Sequence, residues 1–306
     1  MPLRRKAVFT TFAFCSILAL VTGAFAQDGS STGKCGFQNL TIPSPAGTTT
    51  LPTALNDHGA IVGTLSSGTG TSFHTTGFLF SGGQFTHFRF PGSANTLPHD
   101  MNKNAVIVGS FDVTGGSGQR AFQVHAGTFS EVKIPGFPNA PAVAQGVNDL
   151  GDIVGRFNGN GSDFGFLLHQ GKLTTISFPG ATGGTFPSSI NNQGVVVGTY
   201  SVNEQRTGVQ GFMWKNGAFT NIQFPGADAT FPAKISNNGD IVGTYVESGT
   251  LLIQGFSFAN GRYTTINRPG FNETQIVALN GFDNVLGVGS LSTGQTWFKG
   301  FCSAVF

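Results

Sequence analysis

Five side chains in this chain could do chemistry together: His99, Asp100, Gln145, Ser189 and Lys234. A carboxylate or imidazole can take a proton from a substrate, and an ammonium can steady the charge that develops. A hydroxyl and a carboxamide can hold a polar ligand in place. The five are scattered along the chain, so acting together requires a fold that returns to one place again and again. Their phase says that it does. Two positions before a recurring Asn stand Ala54, Asp100, Gly146, Ser189, Lys234 and Ala278. One position earlier stand Thr53, His99, Gln145, Ser188, Ala233 and Val277. These are the columns in which the copies of a repeat disagree. The five could converge on a concave mouth and hold a small ligand. The plainer alternative is a solvated lining or a local ion pair, since structural networks also cluster titratable groups.

The elements that must position them come from the repeat. The fourth copy shows it: Ile190 and Asn191, a turn to Gly194, and the run Val195 to Gly198. Next come Gly211, Phe212, Met213 and Trp214, a turn at Gly217, and Phe219, Ile222, Phe224, Pro225 and Gly226. The valine-glycine run ends at Gly63, Gly109, Gly155, Gly198, Gly243 and Gly287, a period of about 45 residues that signals propellers or arrays. Its apolar runs are too short for helices and are cut by Gly, Asn and Pro, so each unit reads as four antiparallel strands. The Asn-rich turns, with Asp57, Asp149, Asp152, Asp240 and Asp283, read as local backbone capping. Such a sheet cannot bury its faces alone, and the prediction is an all-β, six-bladed propeller of four-stranded blades.

The ends of the repeat are out of phase. Phe37, Leu40 and Ile42 match only a fourth strand, and the last copy stops after Gly300, Phe301 and Cys302 without one. An N-terminal strand that completes the C-terminal blade resolves both deficits and leaves no sheet edge unpaired. Cys35 and Cys302 fall in that composite blade, so a disulfide between them should lock the ring.

Arg4, Arg5 and Lys6 followed by the apolar stretch Ala7 to Val21 and by Ala24-Phe25-Ala26 read as a secretory leader cut after Ala26. The expected organisation is a leader over 1–26, a short Gly/Ser linker over 27–34 and the propeller over 35–306, monomeric and secreted or periplasmic. The apolar stretch is too short to span a membrane. The leader holds three of the 16 basic residues, and with 14 acidic residues the exported part is near neutral. Only 10% of residues are charged and the basic ones are scattered, which excludes a nucleic-acid footprint. No pair among the six histidines has zinc-motif spacing, and no phosphate loop or nucleophile elbow is present, so neither metal nor cofactor is expected. Trp214 and Trp297 sit at core positions of the repeat rather than on an exposed platform.

Ile190 to Gly198 and Gly211 to Trp214, with Ala121-Phe122 in the second copy, resemble the HAF-type extracellular repeat, an Ile-Asn-Asn-x-Gly-x-Val-Val-Gly stretch followed by an aromatic strand. The resemblance covers Gly36 to Phe306. The chain departs from it in ending its units on Phe-Pro-Gly, as at Phe90, Phe178 and Phe224. What the resemblance implies is a secreted β-rich repeat protein, without catalytic residues to carry over. The expected function is therefore non-catalytic binding of an extracellular protein, glycan or small ligand, at the channel mouth or at the loops that differ between copies. Those loops are Ser66 to Thr76, Thr114 to Gln119, Asn158 to Asp163, Ser201 to Gln210 and Glu247 to Ile253. The rival is a hydrolase or lyase at the channel mouth, with Asp100 or His99 as base and Lys234 as its electrostatic partner.

Overall fold

A computed structural model describes residues 35–113, 118–203 and 208–302. The leader, the linker, the last four residues and parts of the loops Thr114 to Gln119 and Ser201 to Gln210 lie outside the described residues. The chain forms six four-stranded antiparallel sheets arranged as a six-bladed propeller. After β1 (Gly36–Asn39), blade 1 is β2 (Thr48–Leu55), β3 (Ile61–Ser67), β4 (His74–Ser81) and β5 (Gln84–Phe88). Blade 2 is β6 (Thr96–Met101), β7 (Ile107–Asp112), β8 (Gln119–His125) and β9 (Thr128–Val132). Blade 3 is β10 (Ala142–Val147), β11 (Ile153–Gly159), β12 (Ser162–His169) and β13 (Lys172–Ile176). Blade 4 is β14 (Thr185–Ile190), β15 (Val196–Ser201), β16 (Val209–Lys215) and β17 (Ala218–Ile222). Blade 5 is β18 (Ala227–Ile235), β19 (Ile241–Glu247), β20 (Ile253–Ala259) and β21 (Arg262–Ile266). Blade 6 is β22 (Glu273–Leu279), β23 (Asn284–Leu291), β24 (Gly294–Phe301) and, as its fourth strand, β1.

The ring closes as its broken ends require. β1 pairs antiparallel with β24, from Gly36 opposite Phe301 to Asn39 opposite Phe298. Cys35 and Cys302, 267 residues apart, are joined by a disulfide that flanks this pairing. Cys35 immediately precedes β1 and Cys302 immediately follows β24.

Between blades the core is aromatic and aliphatic. The Gly-Phe pair supplies Phe78, Phe166, Phe212 and Phe256, joined by Phe122 and Phe298, all fully buried. Phe90, Phe178 and Phe224 of the connecting turns stack on Phe111, Tyr200 and Tyr245 of the following blade, with ring centroids 3.5–3.8 Å apart. Trp214 is buried in this core, and Trp297 packs partly buried against it.

Each innermost strand carries a β-bulge at the same place: the register slips around Thr53, His99, Gln145, Ser188, Ala233 and Val277. The glycine that ends each valine run sits beneath it. A Cβ on Gly198 would stand 2.3 Å from the Phe186 carbonyl oxygen and 2.7 Å from the Pro187 Cα, so the bulged backbone occupies the space of a side chain.

Candidate functional site

The bulge decides where the five candidate side chains go. An extra residue on one strand turns successive side chains away from strict alternation, and the two variable columns separate. Two residues of the bulge column reach the next blade. Thr53 Oγ1 donates to the Pro98 carbonyl at 3.1 Å, and Ser188 Oγ donates to the Pro232 carbonyl at 2.7 Å. His99 Nε2 lies 3.2 Å from Ser110 Oγ, a buried hydroxyl of its own blade. Burial, and then the nearby Arg156 guanidinium, lower the His99 pKa from 6.5 to about 4, so the imidazole is neutral at pH 7. Gln145 is half-buried in the same column.

The following column encircles the axis. Asp100 belongs to blade 2 and Lys234 to blade 5, three blades apart in a ring of six, so they face each other from opposite sides. They meet: Lys234 Nζ donates to Asp100 Oδ1. The same oxygen accepts the Met101 N–H at 2.8 Å, and Oδ2 accepts the Val147 N–H of blade 3 at 3.0 Å. Asp100 is only 3% exposed. Ser189 Oγ, also buried, accepts the Ile235 N–H of blade 5 at 3.3 Å. The other members of the ring are Ala54, Gly146 and Ala278, small enough to let a lysine chain cross. A Cβ on Gly146 would come within 2.9 Å of Ser188 and Ser189 backbone. The arrangement is a cross-brace whose carboxylate has both oxygens engaged, which is how a buried charge is tolerated. As a base, Asp100 would have to leave three donors.

The recurring Asn does more than cap its own turn. Oδ1 of Asn148 accepts the N–H groups of Leu150 and Asp152 at 3.0 and 2.8 Å, and its Nδ2 donates to the Asn191 carbonyl of the next blade at 3.1 Å. The same outward donation runs from Asn56 to Asn102 (3.5 Å), Asn102 to Asn148 (2.9 Å), Asn191 to Ser236 (3.0 Å) and Asn280 to Asn56 (3.2 Å). A second belt lies beside it. The N–H of Lys103 donates to Asp149 (3.1 Å), that of Asp149 to Asn192 (2.9 Å), that of Asn192 to Asn237 (2.9 Å) and that of Gly281 to Asp57 (2.6 Å). Asp57 and Asp149, expected to cap locally, therefore fasten one blade to the next. Burial alone would raise the Asp149 pKa, but the bonds from Asn192 and Lys103 outweigh it and hold it below 3.8.

One further pair carries chemistry. His169 Nδ1 lies 2.6 Å from Asp152 Oδ1, and Asn148 Nδ2 donates to Asp152 Oδ2 at 2.8 Å. Its sequence signal was an Asp where the first, second and fourth copies have Ala60, Val106 and Val195. Among the described residues no three His, Cys, Asp or Glu side chains group as a metal site, and no helix is long and apolar enough to cross a membrane.

The Asn-turn rim exposes a large apolar side chain in two copies, Leu150 and Phe282, and the opposite rim, built from the connections between second and third strands, does so more often. Phe73, Val113, Val202, Leu251 and Leu291 stand exposed there, in five of the six copies.

No family model and no curated protein matches the chain. Solved structures do match in fold. A mutant of AofleA from Arthrobotrys oligospora aligns with a TM-score of 0.51 at 12% identity, over 92% of this chain and 90% of that one. TolB from Acinetobacter baumannii aligns with a TM-score of 0.54 at 12% identity, over 81% of this chain and 65% of that one. A protein of unknown function from Dyadobacter fermentans aligns with 0.53 at 11% identity, over 87% and 98%. At such identities the likeness bears on the propeller fold alone.

Proposed function

We propose that this is an exported, non-catalytic binding propeller whose contact surface is the rim carrying Phe73, Val113, Val202, Leu251 and Leu291. The observation that carries the reading is the recurrence of exposed large apolar side chains on the rim between second and third strands, in five copies, against two on the Asn-turn rim, Leu150 and Phe282. At the axis and on the Asn-turn rim, the polar side chains that escape the repeat are occupied in fastening blades together. On the other rim, loops of differing length and sequence hold large apolar side chains in water, from 37% exposed at Val113 to 71% at Leu251. Exposed apolar groups on varied loops over a rigid scaffold are what a docking surface presents. Export rests on the leader at 1–26, on the resemblance to HAF-type extracellular repeats and on the disulfide, which suits an oxidising compartment. The partner is an extracellular protein, glycan or surface component.

The test is a triple variant, Phe73→Ser, Val202→Ser and Leu251→Ser, compared with the parent on arrays of glycans and of extracellular proteins. These residues are exposed, so melting should stay close to the parent's. Affinity for whatever the parent binds should fall by about tenfold or more. Undiminished binding by the triple variant would move the contact surface elsewhere.

A further inference from the structure

The six seams between blades are not equally fastened. On the Asn-turn rim and along the innermost strands, polar bonds cross from blade 1 to 2 (Asn56, Thr53), 2 to 3 (Asn102, Lys103, Asp100), 3 to 4 (Asn148, Asp149), 4 to 5 (Asn191, Asn192, Ser188, Ser189) and 6 to 1 (Asn280, Gly281). Among the described residues none of these fastenings crosses from blade 5 to blade 6.

Each omission has its own cause in the sequence. Ser236 stands where the other five copies have Asn. Its hydroxyl accepts the turn N–H groups of Asn238 and Asp240 at 3.2 and 3.1 Å, as an Asn oxygen would, but it has no amide to send to the Asn280 carbonyl. Gly281 has no side chain to accept the Asn237 N–H. In the axial columns Ala233 and Lys234 offer no acceptor to blade 6. The seam also carries a repulsion: burial, and then the Asp240 carboxylate, raise the pKa of Asp283. Asp283 is held besides in the left-handed region at φ 59°, where four other copies place Gly59, Gly151, Gly194 and Gly239. What remains across the seam at this level is apolar, with Val242 of blade 5 packed among Ile276, Leu279, Val285 and Phe298.

We propose that the seam between blades 5 and 6 is a built-in opening point of the ring. Blade 6 parts from blade 5 there while staying hinged on blade 1 through Asn280 and Gly281. The disulfide keeps the departing blade whole by holding β1 on β24, so opening exposes the apolar face around Val242 without unravelling the blade. Other seams lack one kind of fastening or another, but at the seam between blades 5 and 6 the Asn amide, the second belt and the axial column are missing together, and that is the juxtaposition on which the assignment stands.

Native-state hydrogen exchange on the disulfide-bonded mature protein tests it. The bonded turn amides of Ser236 to Asp240 and Asn280 to Asn284 should exchange about five- to tenfold faster than those of Asn148 to Asp152 and Asn191 to Val195. The variant Ser236→Asn with Asp283→Gly restores the amide, removes the repulsion and relaxes the turn. Exchange at both segments should slow to that of the other seams. Equal exchange at all seams in the parent, or an unchanged rate in the variant, would overturn the proposal.

Discussion

His99 is the side chain whose role the structure changes most. Its position beside Asp100 made it a candidate base, but at the bulge its ring is buried and its Nε2 meets Ser110 of its own blade. A folded pKa near 4 against an ordinary 6.5 means that the fold disfavours the protonated ring. The sign follows: the stabilising preference for neutral imidazole is complete above pH 6.5 and is lost as pH falls from 6.5 towards 4, a span of about 3 kcal/mol. A heteronuclear titration of the folded protein should place the His99 midpoint near pH 4, and a midpoint near 6.5 would contradict this burial. The column that held His99 was legible by comparing copies. The direction of its side chain was not, because a bulge is invisible in a strand pattern that reads the same with or without one extra residue. The Asn amides were hidden for a similar reason. An Asn beside its own turn announces local capping, and nothing in one copy reveals that the next copy's carbonyl lies within reach.

At the scale of the strand, the valine-glycine run shows how much a repeat can say. Its short apolar run marked a strand, and its recurring glycine marked the period. That glycine lies inside the sheet, opposite Pro187 in blade 4, because the bulged strand leaves no room for a side chain there. Gly198→Ala should therefore cost about 2–3 kcal/mol by forcing the Phe186 carbonyl outward, read as a lowered denaturation midpoint. An unchanged midpoint would mean that the bulge yields freely. Strand order, the out-of-phase ends and the disulfide were all legible, since each follows from counting positions along the repeat. The seams were not, because their strength depends on which atoms of two copies face each other.

At the scale of the molecule, the six copies make a ring held at its axis and turn rim by its own polar residues, with exposed large apolar side chains in five copies of the opposite rim and in two of the turn rim. Asp100 and Lys234 are central to that account, since they are both the most plausible chemistry in the sequence and the brace that spans the axis. Their columns could be read from the chain; their meeting across three blades required the closed ring. The direct measurement is the stability of Lys234→Met against that of the parent, with ligand binding measured alongside on the folded protein. Leaving the buried Asp100 carboxylate without its partner should cost about 3–5 kcal/mol, while binding at the rim persists. A variant as stable as the parent that has lost its binding would instead make the pair a ligand site, and would contradict the account.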